Sequence, residues 1–135
     1  MSGAAFARVQ ADIPVLLVSA DDQDHASVRG MLEDCRVHSA SGRGDARRMT
    51  HRIEPWVVIC DQILADGDWR DLFQDYLEDR HAPPLIVSSR AADDRLWAEV
   101  LNLGGYDLLA KPFVATEVTR VVKMAATQRR PGGGR

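Results

Sequence analysis

Polar side chains that could do chemistry follow four apolar segments of this sequence. Asp61 ends one segment, Ser88-Ser89 ends another, Lys111 follows a third, and Ser19–Asp22 follows the first apolar run of the chain. A carboxylate can attack a phosphoryl group, hydroxyls can hydrogen-bond the transferred oxygens, and an ammonium can neutralise their charge. An isolated Asp61 would be interpreted as the cap of the next turn. The set as a whole instead indicates a phosphoryl-acceptor site.

Apolar runs and helical periodicity predict the elements that position these side chains. The strands are expected at 13–18, 36–40, 57–61, 85–89 and 106–110. The helices are expected at about 23–34, at 45–53, at 69–77 with Asp68 as N-cap, from Asp93 or Asp94 through Leu103, and from Thr116 through Ala125. Gly104-Gly105 is expected to end the fourth helix as a C-cap.

Five strands that alternate with five helices predict an α/β fold. The expected architecture is a flavodoxin-like, doubly wound, five-stranded parallel sheet of order 2-1-3-4-5 with helices on both faces. In that order the third strand lies between the first and the fourth, and the fifth strand follows. Asp61, Ser89, Lys111 and the acids after the first strand should therefore face one crevice, at the edge where such sheets bind ligands.

Composition sets broad limits on the kind of protein. The 135 residues suit one domain, expected at 13–127 between a flexible leader at 1–12 and a flexible tail at 128–135. A net charge of −3 gives no reason to expect direct nucleic-acid or membrane binding. Cys35 and Cys60 lack metal-type spacing, and the sequence contains neither a signal peptide nor a long apolar span. A reduced, cytoplasmic protein is expected.

The stretch from Gly104 to Phe113, with its paired glycines, apolar strand and Lys-Pro-Phe ending, resembles the receiver domain of two-component response regulators. The resemblance covers Val15 to about Ala126. It implies that Asp61 accepts a phosphoryl group from a histidine kinase or phosphotransfer protein.

The same resemblance assigns roles to the residues around the acceptor. It implies that Ser89 and Lys111 assist at the acceptor, and that the Lys111-Pro112 bond is cis. It also implies Mg²⁺, held by Asp61, by the backbone carbonyl of Ile63 and by an acidic residue after the first strand, for which Asp21 is the nearest candidate.

The chain departs from this family pattern at four places, of which Ala65, where relatives often have Pro, is a mild change. Ser19-Ala20 stands where relatives usually have an acidic pair, so the metal site is expected to be weakened, and Asp22 is expected in a solvated turn or helix cap. Arg90 stands where a small residue usually follows the hydroxyl position, and is expected beside the acceptor. Leu108 replaces an aromatic residue that commonly changes rotamer on activation.

Two functions therefore remain open at the level of sequence. One is a phosphorylation switch, without catalysis beyond self-phosphorylation and self-dephosphorylation at Asp61. The other is a pseudo-receiver that binds partners constitutively, with Lys111 merely pairing with Asp61 and the triad kept for folding. A flavin-binding domain is a distant third, because the first strand lacks a glycine-rich phosphate loop. The chain is either a stand-alone receiver or a piece of a longer regulator.

A partner surface is expected on the fourth helix, fifth strand and fifth helix, where the chain could also form a homodimer. Its candidate residues are Trp97, Leu101, Asp107, Leu108 and Arg120.

The sequence pattern also predicts burial. The core face of the first helix is expected to comprise Ala26, Val28, Met31, Leu32 and Cys35. The stripe of the third helix is expected to comprise Trp69, Leu72, Phe73, Tyr76 and Leu77. The four histidines, which are His25, His38, His51 and His81, are expected at the surface.

Overall fold

The computed structural model describes residues 12–79 and 82–129. Its main sheet has five parallel strands in the order β2-β1-β3-β4-β5. The strands are β1 (Ile13–Val18), β2 (Cys35–Ala40), β3 (Val57–Asp61), β4 (Leu85–Ser89) and β5 (Asp107–Ala110). This architecture and strand order confirm the predicted fold class.

In the described residues, four helices connect the strands and a fifth follows the last strand. They are α1 (Asp22–Met31), α2 (Arg43–Ile53), α3 (Trp69–Leu77), α4 (Asp94–Leu103) and α5 (Ala115–Ala126), followed by one 3₁₀ turn (Thr127–Arg129). A short hairpin, Ile63–Leu64 with Gly67–Asp68, links β3 to α3. The predicted leader lies outside the described residues except for Asp12, and the predicted tail lies outside them after Arg129. No helix in the described part of the chain is long and apolar enough to cross a membrane.

Side-chain alternation along the strands builds a core on each face of the sheet. In β1, Leu16 and Val18 pack into one cluster, and Val15 and Leu17 pack into the other. The first cluster is covered by α2, α3 and α4, and the second by α1 and α5. Because both faces of β1 and β3 are buried, their sequences are continuous apolar runs. This burial fixes the register that brings the strand ends together.

Helix caps fix where α3 and α4 begin and end. Asp68 accepts hydrogen bonds from the backbone of Arg70 and Asp71, and the Asp71 carboxylate accepts one from the backbone N–H of Asp68, which completes a capping box. Gly104 ends α4 at φ +111°, where a Cβ atom would lie 2.7 Å from the Phe73 ring. Both predicted caps are confirmed.

The predicted core face of α1 is wrong in its first turns. Ala26 is exposed, whereas Asp24 and His25 are buried. The His25 Nε2 atom lies 2.8 Å from the Ser19 carbonyl oxygen and donates a hydrogen bond to it. The first turns of α1 cover the polar carboxyl end of the sheet, so the side chains they bury are polar ones with partners there.

Three further predictions of burial need correction or fall outside the structure. Leu77, at the end of α3, is 61% exposed, because Trp69, Leu72 and Tyr76 already form the buried face of this helix. His38 is half-buried and its Nε2 atom is enclosed, so it is not a surface histidine. His81 lies outside the described residues.

Candidate functional site

Asp61 and Lys111 meet at the carboxyl edge of the sheet. Asp61 is the last residue of β3, and Lys111 directly follows β5. The backbone N–H of Lys111 donates to the Ser89 carbonyl, and the Lys111-Pro112 bond is cis, as predicted. The Lys111 Nζ atom lies 2.9 Å from Asp61 Oδ1. The structure therefore places an ammonium directly against the predicted acceptor carboxylate.

A second carboxylate, which the sequence analysis missed, binds the same ammonium. Asp24 Oδ2 lies 2.6 Å from Lys111 Nζ and also accepts a hydrogen bond from the Ser19 hydroxyl at 2.9 Å. The side chains of Asp24 and Lys111 are only 7% and 6% exposed. Asp24 precedes the buried Val28 by one helical turn and so shares its face of α1. That spacing was the signal that could have identified Asp24.

The two carboxylates keep Lys111 charged. Burial by itself lowers the pKa of Lys111, but hydrogen bonds and charge from Asp24 and Asp61 outweigh this cost. The pKa of Lys111 is consequently raised above its ordinary value. Lys111 is therefore a permanent cation at neutral pH, positioned between one acid from the sheet and one from a helix.

Ser89 is buried and already engaged by a neighbouring amide. Its hydroxyl donates to Gln62 Oε1 at 2.5 Å and accepts from the backbone N–H of Ala91 at 2.9 Å. Gln62, the residue after Asp61, also donates its backbone N–H to Asp61 Oδ1 at 3.1 Å. In strand register it is Ser88, rather than Ser89, that stands beside Asp61. Gln62 thus joins the acceptor to Ser89, a role that the sequence analysis did not assign.

The other residues predicted around the metal lie in less enclosed positions. Asp21 is the N-cap of α1, accepts from the backbone of Gln23 at 2.9 Å, and has a side chain that is 46% exposed. Arg90 extends toward Asp21, with 3.9 Å between charged atoms, and its side chain is 70% exposed. The described contact of Arg90 is therefore with Asp21 and not with the acceptor. Ile63 lies in the short hairpin with its side chain exposed.

The donor set present does not fit the Mg²⁺ that the resemblance implies. Mg²⁺ requires near-octahedral oxygen ligands at about 2.0–2.1 Å. Asp61 and Asp24 instead share the Lys111 ammonium, while Asp21 caps a helix. Over residues 12–79 and 82–129, no group of three or more acidic, histidine or cysteine side chains is arranged to hold a metal ion.

The predicted partner surface is partly exposed. Trp97 and Leu101 of α4 are 48% and 38% exposed, and the Trp97 indole N–H donates to Asp107 Oδ1 at 3.3 Å. Arg120 is exposed on α5. Leu108 is half-buried and packs against the core cluster that includes residues of α4, so it lies beneath this surface.

Comparison with known proteins identifies regulators of transcription among the relatives. No protein-family model matches the chain. The transcriptional regulatory protein DpiA of Escherichia coli is 24% identical over 106 residues, which is 74% of this chain and 47% of DpiA. The probable transcriptional regulatory protein TcrX of Mycobacterium tuberculosis is 28% identical over 125 residues, which is 88% of this chain and 52% of TcrX. The chain thus spans about half the length of the curated relatives it matches.

The chain also superposes on solved structures of response regulators and of receiver domains. The non-phosphorylated HemR receiver domain from Leptospira biflexa superposes with a TM-score of 0.75 at 22% identity, covering 88% of this chain and 98% of that one. A two-component response regulator from Clostridium difficile gives a TM-score of 0.76 at 21% identity, covering 86% and 97%. With its sheet order and its Asp61–Lys111 pair, the chain has the fold of the receiver domains of response regulators.

Proposed function

We propose that this chain is the receiver domain of a response regulator and accepts a phosphoryl group on Asp61. The donor would be a histidine kinase or a histidine phosphotransfer protein of a two-component phosphorelay. The observation that carries the proposal is the 2.9 Å contact between the Asp61 carboxylate and the buried Lys111 ammonium at the carboxyl edge of a receiver fold. The Asp61 side chain is 20% exposed, which leaves it open to a donor.

The proposed transfer is a single displacement at phosphorus. A carboxylate oxygen of Asp61 attacks the phosphorus atom, and the P–N bond of phosphohistidine breaks with its electron pair left on the ring nitrogen. The product is an acyl phosphate, whose added negative charge lies beside Lys111. The chemistry is limited to gain and loss of this group at Asp61, and no step is assigned to a metal ion.

Signalling from the modified site would use the surface around Trp97, Leu101, Asp107 and Arg120. Exposed apolar area beside charged groups is typical of protein contact surfaces. A partner protein or a second copy of the chain would bind there. A cytoplasmic location belongs to the same proposal, because Cys35 and Cys60 are both unpaired.

Phosphoryl incorporation tests the proposal. The chain is incubated with acetyl phosphate and analysed by intact mass, alongside Asp61→Asn and the matched control Asp94→Asn, which changes an acid on the first turn of α4. We expect a gain of one phosphoryl group in the native chain and in Asp94→Asn, and none in Asp61→Asn. No gain under conditions that label an ordinary receiver would contradict the proposal and favour a constitutive protein-binding module.

A further inference from the structure

The acidic pocket, which is the space between the Asp24 and Asp61 carboxylates at the carboxyl edge of the sheet, contains its own cation. The Lys111 Nζ atom lies 2.6 Å from Asp24 Oδ2 and 2.9 Å from Asp61 Oδ1, so one ammonium binds both acids. Both distances are those of charge-assisted hydrogen bonds. Two carboxylates and one ammonium leave a single net negative charge in this bridge. Lys111 therefore already neutralises much of the negative charge that would otherwise attract a bound cation.

Asp24 meets a small hydroxyl residue, Ser19, that directly follows β1. Ser19 is 2% exposed, and its hydroxyl donates to the same Asp24 oxygen that binds Lys111. Asp24 therefore supplies, from the first turn of α1, a carboxylate that the end of β1 does not carry. Asp21 does not take this role, since its carboxylate accepts the Gln23 N–H and faces Arg90.

A divalent cation would have to displace the ammonium in order to use both acids. Displacement would break two charge-assisted hydrogen bonds and leave a 6%-exposed lysine without its partners. Mg²⁺ would in addition have to give up water, which it does reluctantly. If the ammonium instead stayed in place, the Coulomb attraction of the site for Mg²⁺ would be weakened, because Lys111 already neutralises one of the two charges.

We propose that Lys111 is the resident cation of this pocket and that Asp24 supplies the second carboxylate that binds it. The Asp24–Lys111–Asp61 bridge takes the position that a divalent ion would need, so the unmodified chain binds no Mg²⁺ there. This inference shares Asp61 with the proposed function, but cation binding is measured on the unphosphorylated chain. Either proposal can fail without the other.

Magnesium titration tests the inference. The full chain is treated with a chelator, exchanged into metal-free buffer and titrated with MgCl₂, by calorimetry and by thermal unfolding. The native chain should give no saturable heat and no rise in Tm. Lys111→Met removes the cation and leaves the two acids together, so this variant should acquire saturable binding and a Mg²⁺-dependent rise in Tm. If Lys111→Met does not fold, Lys111→Gln replaces it in the same measurement.

Matched second substitutions identify the ligands. In the lysine-variant background, Asp24→Asn should abolish the acquired Mg²⁺ response, and Asp21→Asn should leave it in place. Saturable Mg²⁺ binding by the native chain that is lost in Asp24→Asn or Asp61→Asn would overturn the inference. A folded lysine variant without any Mg²⁺ response would also overturn it, since the ammonium would then not occupy a cation position.

Discussion

Each half of the sheet's carboxyl edge supplies one carboxylate to the Lys111 ammonium, but the two carboxylates come from different kinds of element. On the β3–β5 side, Asp61 and Lys111 lie where strand spacing alone predicts them. On the β1 side, the strand is followed by Ser19, and the carboxylate comes instead from Asp24 on α1. The Lys111 ammonium binds the carboxylates of both halves. A buried cation can therefore take its counter-charge from a helix when the neighbouring strand does not provide it.

The largest expected effect comes from removing the group that joins the halves. Lys111→Met leaves Asp24 and Asp61 facing each other without a cation, and should lower the free energy of unfolding by about 3–5 kcal/mol. Urea unfolding at neutral pH without added metal measures the loss. Because the pKa of Lys111 is raised, the native contribution persists through neutral pH and is lost only as the pH rises through that raised pKa. A change below about 1 kcal/mol would contradict the bridge.

The second-largest effect is expected at Asp24, whereas the nearby Asp21 should contribute little. Asp24→Asn removes the charge but keeps the shape and one acceptor for Ser19, so we expect a loss of about 2–3 kcal/mol in the free energy of unfolding. Asp21→Asn changes a half-exposed cap that remains a good N-cap residue, so it should cost less than about 0.5 kcal/mol. Equal effects of the two substitutions in urea unfolding would show that Asp24 has no special role.

A smaller effect is expected at Ser19, directly after β1. Ser19→Ala removes the hydroxyl that donates to Asp24 and should lower the free energy of unfolding by about 1.5 kcal/mol. The same variant should retain phosphoryl incorporation at Asp61, because Lys111 still binds both acids. Thermal unfolding and intact mass on one sample check both expectations. A loss equal to that of Asp24→Asn would mean that Ser19, and not Lys111, holds the carboxylate.

A further small effect, at Asp75, serves as a reference away from both halves. Hydrogen bonds from Arg43 lower the pKa of Asp75 and link α2 to α3. A lowered pKa stabilises the fold above the unfolded value, near pH 4, and this contribution is lost as the pH falls. Arg43 is 37% exposed, so we expect this ion pair to make only a small contribution to the free energy of unfolding. In Asp75→Asn, the difference between the free energies of unfolding at pH 7 and at pH 3 should therefore be smaller than in the native chain. An unchanged difference would contradict the assignment.

How much the sequence could predict also differs between the halves. Apolar runs and the strand order placed Asp61 and Lys111 correctly at one edge, because parallel strands end together. Asp24 was missed because an acid on a helix face is ordinarily solvated, and its burial is made favourable by Ser19 and by Lys111, which lies 87 residues away. The burial of His25 was also missed, because its partner is a backbone carbonyl, that of Ser19, which the pattern of side-chain types does not reveal.

The measurement that tests the bridge most directly is a double-mutant cycle between Asp24 and Lys111. The free energy of unfolding is measured in urea for the native chain, Asp24→Asn, Lys111→Met and the double variant. We predict that the double variant loses about 1–3 kcal/mol less than the sum of the two single losses, because either substitution already breaks the shared ion pair. Losses that add to within about 0.5 kcal/mol would contradict the account, since Asp24 and Lys111 would then stabilise the fold independently.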